Sequence, residues 1–179
     1  MLHSSRVFSR PRKLDNEQDL YAYALRILMR RAHSVHEMKA KLLRRADSEV
    51  LAQVVLARLK ESGKLDDSRY AKQFTRQRAE VRKQGKFRIA RDLRARGVPD
   101  RHINAALAES AESHDEAAVI RQRIERKLHS FRGEIDDKKL ASIYRSLLAA
   151  GFRADLIRRE LKSLTRQELP EADSESSEE

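Results

Sequence analysis

The stretch LRARGVPDRHINAAL, residues 93–107, carries four anchor positions at offsets 0, 4, 10 and 14: Leu93, Gly97, Ile103 and Leu107. The stretch LLAAGFRADLIRREL, residues 147–161, repeats these offsets: Leu147, Gly151, Ile157 and Leu161. An earlier copy is one residue shorter and has alanine at the glycine position: Leu42, Ala46, Leu51 and Val55. Each copy predicts a helix, a tight turn at the small residue and a second short helix whose apolar pair faces back.

The spacing of the copies predicts an all-α fold built from three tandem three-helix repeats. The copies begin 51 and 54 residues apart, which leaves room for a third helix in each unit. Such units cannot bury their apolar faces alone, so we expect them to stack into an elongated array. The predicted parts are a basic flexible N-terminus at 1–14, repeats at 15–65, 66–111 and 112–166, and an acidic disordered tail at 167–179.

Helix starts follow from short capping patterns. Asp15 with Gln18, and Ser34 with Glu37, predict capping boxes at the first and second helices. The adjacent aspartates at 66–67 and at 136–137 precede predicted helices, so we interpret them as caps and not as metal ligands. Further apolar side chains are predicted to face inward on helices 68–82 and 87–96: Tyr70, Phe74, Val81, Phe87, Ala90 and Leu93.

Charge is distributed unevenly along the chain. The 179 residues contain 39 Lys and Arg against 28 Asp and Glu, a net charge of +11. Residues 1–101 hold 26 basic and 12 acidic side chains, and residues 69–101 alone hold twelve and three. This asymmetry indicates that one region meets a polyanionic partner, either nucleic acid or an acidic protein surface.

Candidate binding residues are the cations that share helix faces in or near this region. Their spacing aligns them opposite the apolar stripes, although an ordinary solvated face has the same pattern. They are Arg26, Arg30, Arg69, Lys72, Arg76, Lys83, Lys86, Arg88, Arg91 and Arg94. Aromatic residues are not interleaved among them, so stacking on single-stranded bases has little support.

Catalytic motifs are missing from the sequence. The six histidines do not form the H-E-x-x-H pattern, and neither a phosphate-binding glycine loop nor a nucleophile elbow occurs. Cysteine is absent, which excludes disulfides and thiolate metal sites. We therefore expect a protein that is not an enzyme and has no cofactor or metal site. No apolar run is long enough to span a bilayer and no secretory signal is present, so a cytoplasmic protein is expected. A monomer is the simplest oligomeric state to expect.

Several of these motifs resemble the RecX family of bacterial RecA regulators. The similarity begins with Tyr23-Ala24-Leu25-Arg26 and continues through Arg31, Ser34-x-x-Glu37 and Lys41-Leu42. Its most specific piece is Gly63-Lys64-Leu65-Asp66-Asp67-x-Arg69-Tyr70-Ala71. Further matches are Gly85, Arg88-Ile89, Leu93-x-x-x-Gly97-Val98 and Ile103. Ala46 departs from the glycine expected in the first repeat, and the third repeat matches loosely.

The resemblance implies three helical repeats in a curved array that bind the groove of the RecA–single-stranded DNA filament. It further implies inhibition of the recombinase, ATPase and coprotease activities of RecA, and hence a role in DNA repair and the SOS response. One alternative is a direct non-specific binder of single- or double-stranded DNA, because the helices around Gly97 imitate a helix-turn-helix. Another is a repeat adaptor for an unrelated acidic protein.

Overall fold

The computed structural model describes residues 13–131 and 135–168, without the side chains of 165–168. Within this part the chain forms nine α-helices and no strand, which confirms the all-α repeat fold. The helices are α1 Glu17–Arg30, α2 Val35–Arg45, α3 Glu49–Glu61, α4 Asp67–Arg76, α5 Lys86–Arg94, α6 Asp100–Ser113, α7 Glu116–Ser130, α8 Asp137–Ala149 and α9 Ala154–Glu168. The predicted N-terminal lead through residue 12 and the tail after residue 168 lie outside the described residues.

Contacts divide the described chain into two units. Unit 1 comprises the described residues as far as Tyr70 together with Ala95–Pro99, and unit 2 comprises Ala71–Arg94 and the described residues from Asp100 onward. The division falls inside α4, and α6 continues past the predicted repeat boundary at residue 111. The repeat boundaries therefore remain a prediction, and each unit is described by itself.

Unit 1 is held together by an apolar core between α1, α2 and α3. The fully buried side chains include Leu20, Met38, Leu42, Val55 and Leu59. Burying an aliphatic side chain of this size contributes roughly 1.5–3 kcal/mol. This core contains Leu42, Ala46 and Val55, three of the four anchors of the first copy.

Hydrogen-bonded caps set the helix starts. Ser34 and Glu37 form the predicted capping box. The predicted box at Asp15 and Gln18 is wrong by one residue, because the Asn16 side chain accepts from the Asp19 amide at 2.9 Å. Asp66 accepts from two amides at the start of α4, and Asp136 accepts from one at the start of α8, which confirms these two as caps. Asp67 instead accepts from the Val35 amide at the start of α2, 2.9 Å away.

Unit 2 has a second core, and two residues predicted to face it do not. The core includes Ile120, Ile124, Ile143, Leu147 and Ile157, all almost completely buried. Val81, however, is 75% exposed, and Phe87 is 58% exposed.

Local backbone geometry explains both corrections. One turn of π-helix, Gln77–Val81, follows α4, and its wider winding rotates Val81 away from the stripe while Ala79 is buried. Phe87 lies in the first turn of α5, where its amide donates to the Gly151 carbonyl and its ring faces solvent.

Close helix ends explain the repeated glycines. Gly97 and Gly151 have φ values of +70° and +91°, which favour glycine. A Cβ at Gly97 would overlap His36, and one at Gly151 would overlap the Arg88 backbone. The small residue is therefore required both for the turn and for a neighbouring helix start that packs on it.

Main-chain and cap atoms complete these junctions. In unit 1, Ser34 Oγ, at the start of α2, donates to the Arg96 carbonyl at 2.6 Å. In unit 2, the Gly85 and Phe87 amides, at the start of α5, donate to the Ala150 and Gly151 carbonyls at 2.9 and 3.1 Å. Both junctions thus satisfy carbonyl groups at a helix end, which otherwise lack intrahelical partners.

The first copy of the turn uses a different partner, which accounts for Ala46. The Leu14 amide donates to the Arg45 carbonyl at 2.9 Å, and the Asp47 amide donates to the Leu14 carbonyl at 2.7 Å. Ala46 is extended, with φ −70° and ψ 147°, a conformation open to any residue. Alanine therefore fits where the other copies need glycine.

The Glu37 carboxylate joins separate segments of unit 1. It accepts from Arg31 at 3.2 Å, from Arg96 at 2.9 Å and from the Ser34 amide at 3.3 Å. Burial alone would raise the pKa of Glu37, but the hydrogen bonds from Arg31 and Ser34 outweigh it and lower the pKa below 4.5. The charged form is therefore favoured in the folded chain.

We predict that Gly151→Ala destabilises the protein clearly more than Gly63→Ala. Gly63 also has positive φ, +64°, but no atom lies within 4 Å of its Cβ position. The control therefore carries only the left-handed strain of alanine, about 1–2 kcal/mol, and Gly151→Ala adds the overlap with Arg88. Urea unfolding of both variants measures the difference, and equal losses would contradict the close approach.

We predict that Glu37→Gln lowers the free energy of unfolding by about 1 kcal/mol at neutral pH. Glutamine retains the capping geometry but lacks the charge. A lowered folded-state pKa gives stability that is present above the unfolded value of 4.5 and lost as pH falls through the folded value. Urea unfolding across this range should show the two proteins converging in acid; a constant gap would contradict the role of the charge.

Candidate functional site

The ten predicted cations are distributed over both units. Unit 1 contains three of them: Arg26, Arg30 and Arg69. Unit 2 contains seven: Lys72, Arg76, Lys83, Lys86, Arg88, Arg91 and Arg94. That all ten form one binding surface remains a prediction.

In unit 1, α1 presents two available cations. Arg26 and Arg30 are exposed, four residues apart on the helix, and neither forms an ion pair with a residue that the structure describes. Arg69 is exposed as well, but its guanidinium donates to the Gly63 carbonyl. It therefore also holds the turn between α3 and α4.

The α4 cations of unit 2 lie on the solvent side and are paired with carboxylates. Lys72 Nζ lies 2.7 Å from a Glu109 carboxylate oxygen, and this hydrogen bond raises the pKa of Lys72. Arg76 Nε lies 3.3 Å from Glu80 one turn later. Both cations remain at least half exposed.

Two α5 cations have the same character. Arg91 lies 3.7 Å from Asp92, and Arg94 Nε lies 2.7 Å from Asp100. Solvent-exposed pairs of this kind contribute little to stability and are screened by salt. The carboxylates therefore do not lock these cations, and a stronger polyanion can compete for them.

Three other predicted residues serve the fold. Arg88 is half-buried and its Nη1 donates to the Ala149 carbonyl at the end of α8, 3.1 Å away. The Lys86 amide donates to Glu116 at 2.9 Å, and its ammonium lies over the ring of Phe87. Lys83 takes a left-handed conformation, φ +50°, where the chain leaves the π turn. We assign these residues to the junction before α5.

A second cationic cluster was missed by the sequence analysis. Arg123, Arg126 and Lys127 of α7 line a pocket of about 250 Å³ with Ile143, Ser146 and Leu147 of α8. The signal was the i, i+3, i+4 spacing within RQRIERK, which places the three cations on one helix side. It was hidden because residues 102–179 have 13 basic and 16 acidic side chains.

The part of the chain that the structure describes offers neither a metal-binding cluster nor a membrane-spanning helix. The described residues contain no group of three or more His, Cys, Asp or Glu side chains suited to hold a metal ion. Across the same residues, no helix combines the length and apolarity needed to cross a bilayer. The arrangement that the structure does offer is one of cationic helix faces.

Two stretches of the chain match models of three-helix domains in one protein family. Residues 21–59 match the first three-helix domain of RecX, and residues 66–107 match the second. The Regulatory protein RecX of Trichlorobacter lovleyi is 35% identical over 144 residues, which cover 78% of this chain and 92% of that protein. The Regulatory protein RecX of Pelodictyon phaeoclathratiforme is 31% identical over 163 residues, which cover 90% of this chain and 96% of that protein.

Solved structures share the fold. The crystal structure of RecX from Lactobacillus salivarius matches with a TM-score of 0.74 at 21% identity, over 83% of this chain and 96% of that chain. The crystal structure of a second regulatory protein RecX matches with a TM-score of 0.69 at 18% identity, over 80% of this chain and 71% of that chain. At these identities the match concerns the helical architecture alone.

We predict that Arg88→Gln and Arg91→Gln separate a structural cation from an available one. Arg88→Gln removes the guanidinium that donates to the Ala149 carbonyl, so the free energy of unfolding should fall by about 1 kcal/mol. Arg91→Gln removes one exposed pair and should leave stability nearly unchanged. Thermal and urea unfolding measure both variants, and similar losses would contradict this division of roles.

Proposed function

The chain belongs to the RecX family of regulatory proteins, and on that premise we propose that it binds the RecA–single-stranded DNA filament. Binding would inhibit the recombinase, ATPase and coprotease activities of the filament and so modulate recombination, repair and the SOS response. The role requires binding alone and no bond-breaking by this chain. We further propose that it acts as a monomer in the cytoplasm.

The observation that carries this proposal is the match to named regulators over nearly their whole length. The relative from Trichlorobacter lovleyi is covered to 92% at 35% identity. Agreement over that length supports a shared mode of action and not only a shared helical architecture. The partner and the inhibition are inferred from the family.

Exposed cations supply the proposed binding surface. Each unit contributes the predicted residues that face solvent without serving a junction: Arg26 and Arg30 in unit 1, and Lys72, Arg76, Arg91 and Arg94 in unit 2. A nucleoprotein filament offers DNA phosphates and acidic side chains in a regular series. Long-range attraction between opposite charges accelerates encounter with such a polymer.

Direct non-specific DNA binding is the second candidate function. The observation that favours it is the turn at Gly97 followed by α6, which exposes Arg101 and Asn104 in its first turns. In that case affinity for naked duplex should fall steeply with salt, by a slope of about −0.9 per phosphate neutralised. Affinity for naked and for RecA-coated DNA at matched salt separates the two functions.

We predict that Lys72→Ala, Arg76→Ala and Arg91→Ala in one variant weaken binding to the RecA–DNA filament about tenfold or more. Arg88 is left intact because its loss would also destabilise α8. The measurement is inhibition of RecA ATPase against protein concentration, with circular dichroism to verify folding.

The matched control for this prediction removes three exposed cations from unit 1, at Lys39, Arg44 and Lys60. The control loses the same net charge as the first variant. If the position of the cations determines binding, the control should change filament inhibition much less. An equal loss in both variants would contradict the proposed surface, and so would unchanged inhibition in the first.

A further inference from the structure

The pocket between α7 and α8 brings like charges together without compensation. Arg123, Arg126 and Lys127 line it, and its six lining residues include no carboxylate. Arg126 and Lys127 are exposed, and neither forms an ion pair with any residue in the described ranges. Nearby Arg121 differs, since its guanidinium donates to the buried Glu160 carboxylate at 3.0 and 3.1 Å.

Arg123 is the most constrained of the three. It is half-buried, its guanidinium carbon lies 5.7 Å from the centre of the Phe152 ring, and Nη2 donates to the Arg82 carbonyl at 3.5 Å. Burial, followed by the charge of Arg126, lowers the pKa of Arg123 below its ordinary value. The guanidinium still keeps its proton at neutral pH. The folded chain therefore places the positive charge of Arg123 in a partly buried position beside the like charge of Arg126.

We propose that this pocket binds one phosphate group of a nucleic-acid strand. Like charges at i, i+3 and i+4 destabilise a helix, and an anion in the pocket reverses the sign of that interaction. The site lies in the third repeat, outside the ten cations predicted from sequence. The proposal deepens the proposed function, because it assigns a DNA contact to a protein inferred to act on a DNA filament.

Charge complementarity with the proposed DNA partner favours phosphate as the occupant of the pocket. Arg123, Arg126, Lys127 and Ser146 line one pocket, and guanidinium, ammonium and hydroxyl groups all donate to phosphate oxygens. The DNA strand of the filament, which is the partner proposed above, carries one such phosphate for each nucleotide.

The test uses the full chain and a short fluorescein-labelled oligothymidylate, with binding followed by fluorescence anisotropy over a series of salt concentrations. The pocket variant is Arg126→Gln with Lys127→Gln. The control is Lys138→Gln with Arg145→Gln, which removes the same charge from exposed positions on α8 in the same repeat. Circular dichroism and urea unfolding establish that both variants remain folded.

We expect the pocket variant to bind oligothymidylate about tenfold more weakly. Its salt slope should fall by about 0.7 for one phosphate lost from a single strand. The control should change affinity less than about twofold. Equal weakening of both variants, or none in the pocket variant, would overturn the proposal.

An acidic peptide is the competing occupant, and poly-glutamate tests it in the same assay. Poly-glutamate binding that depends on the pocket, with oligothymidylate binding unaffected, would overturn the phosphate assignment. RecA inhibition is measured separately. If the unaltered chain inhibits RecA but the pocket variant binds oligothymidylate normally, only this inference is rejected. If the pocket variant loses oligothymidylate binding but the unaltered chain does not inhibit RecA, only the proposed function is rejected.

Discussion

Pairing between the end of one helix and the start of another is the constraint on which the rest of this structure depends. In unit 2 the Gly85 and Phe87 amides satisfy carbonyl groups that follow α8, and Arg88 satisfies one more. In unit 1 Ser34 makes the corresponding contact with Arg96. Because unpaired buried main-chain groups are costly, these contacts fix where α2 and α5 begin.

This constraint divides the cations of the basic region into two kinds. The Arg88 guanidinium is occupied at the junction, where it donates to the Ala149 carbonyl. Lys72, Arg76, Arg91 and Arg94 instead lie on outer helix faces with weak carboxylate partners. Charge counting in the sequence treats both kinds alike. Only the geometry shows which guanidinium groups are available to another molecule.

Much of the fold could be predicted from the sequence, because the glycines at 97 and 151 mark the turns at which helices end and the apolar anchors around them mark the helix faces that are buried. Two predictions failed because of local backbone geometry. The π turn rotates Val81 away from the core, and Phe87 lies in the first turn of α5, where its amide bonds to the carbonyl of Gly151 after α8. The candidate site was less accessible. Ten cations were identified by spacing, but the pocket around Arg123 depends on α8 closing over α7, and no sequence pattern reports that approach.

The use of glycine turns and main-chain hydrogen bonds at the junctions has an evolutionary consequence. Backbone amides and carbonyls are common to every residue, so the helix ends can be matched while most outward-facing side chains drift. The architecture shared with a solved chain at 21% identity is consistent with such latitude. A scaffold of this kind allows each lineage to redistribute its surface charge to suit its own partner without redesigning the helices beneath.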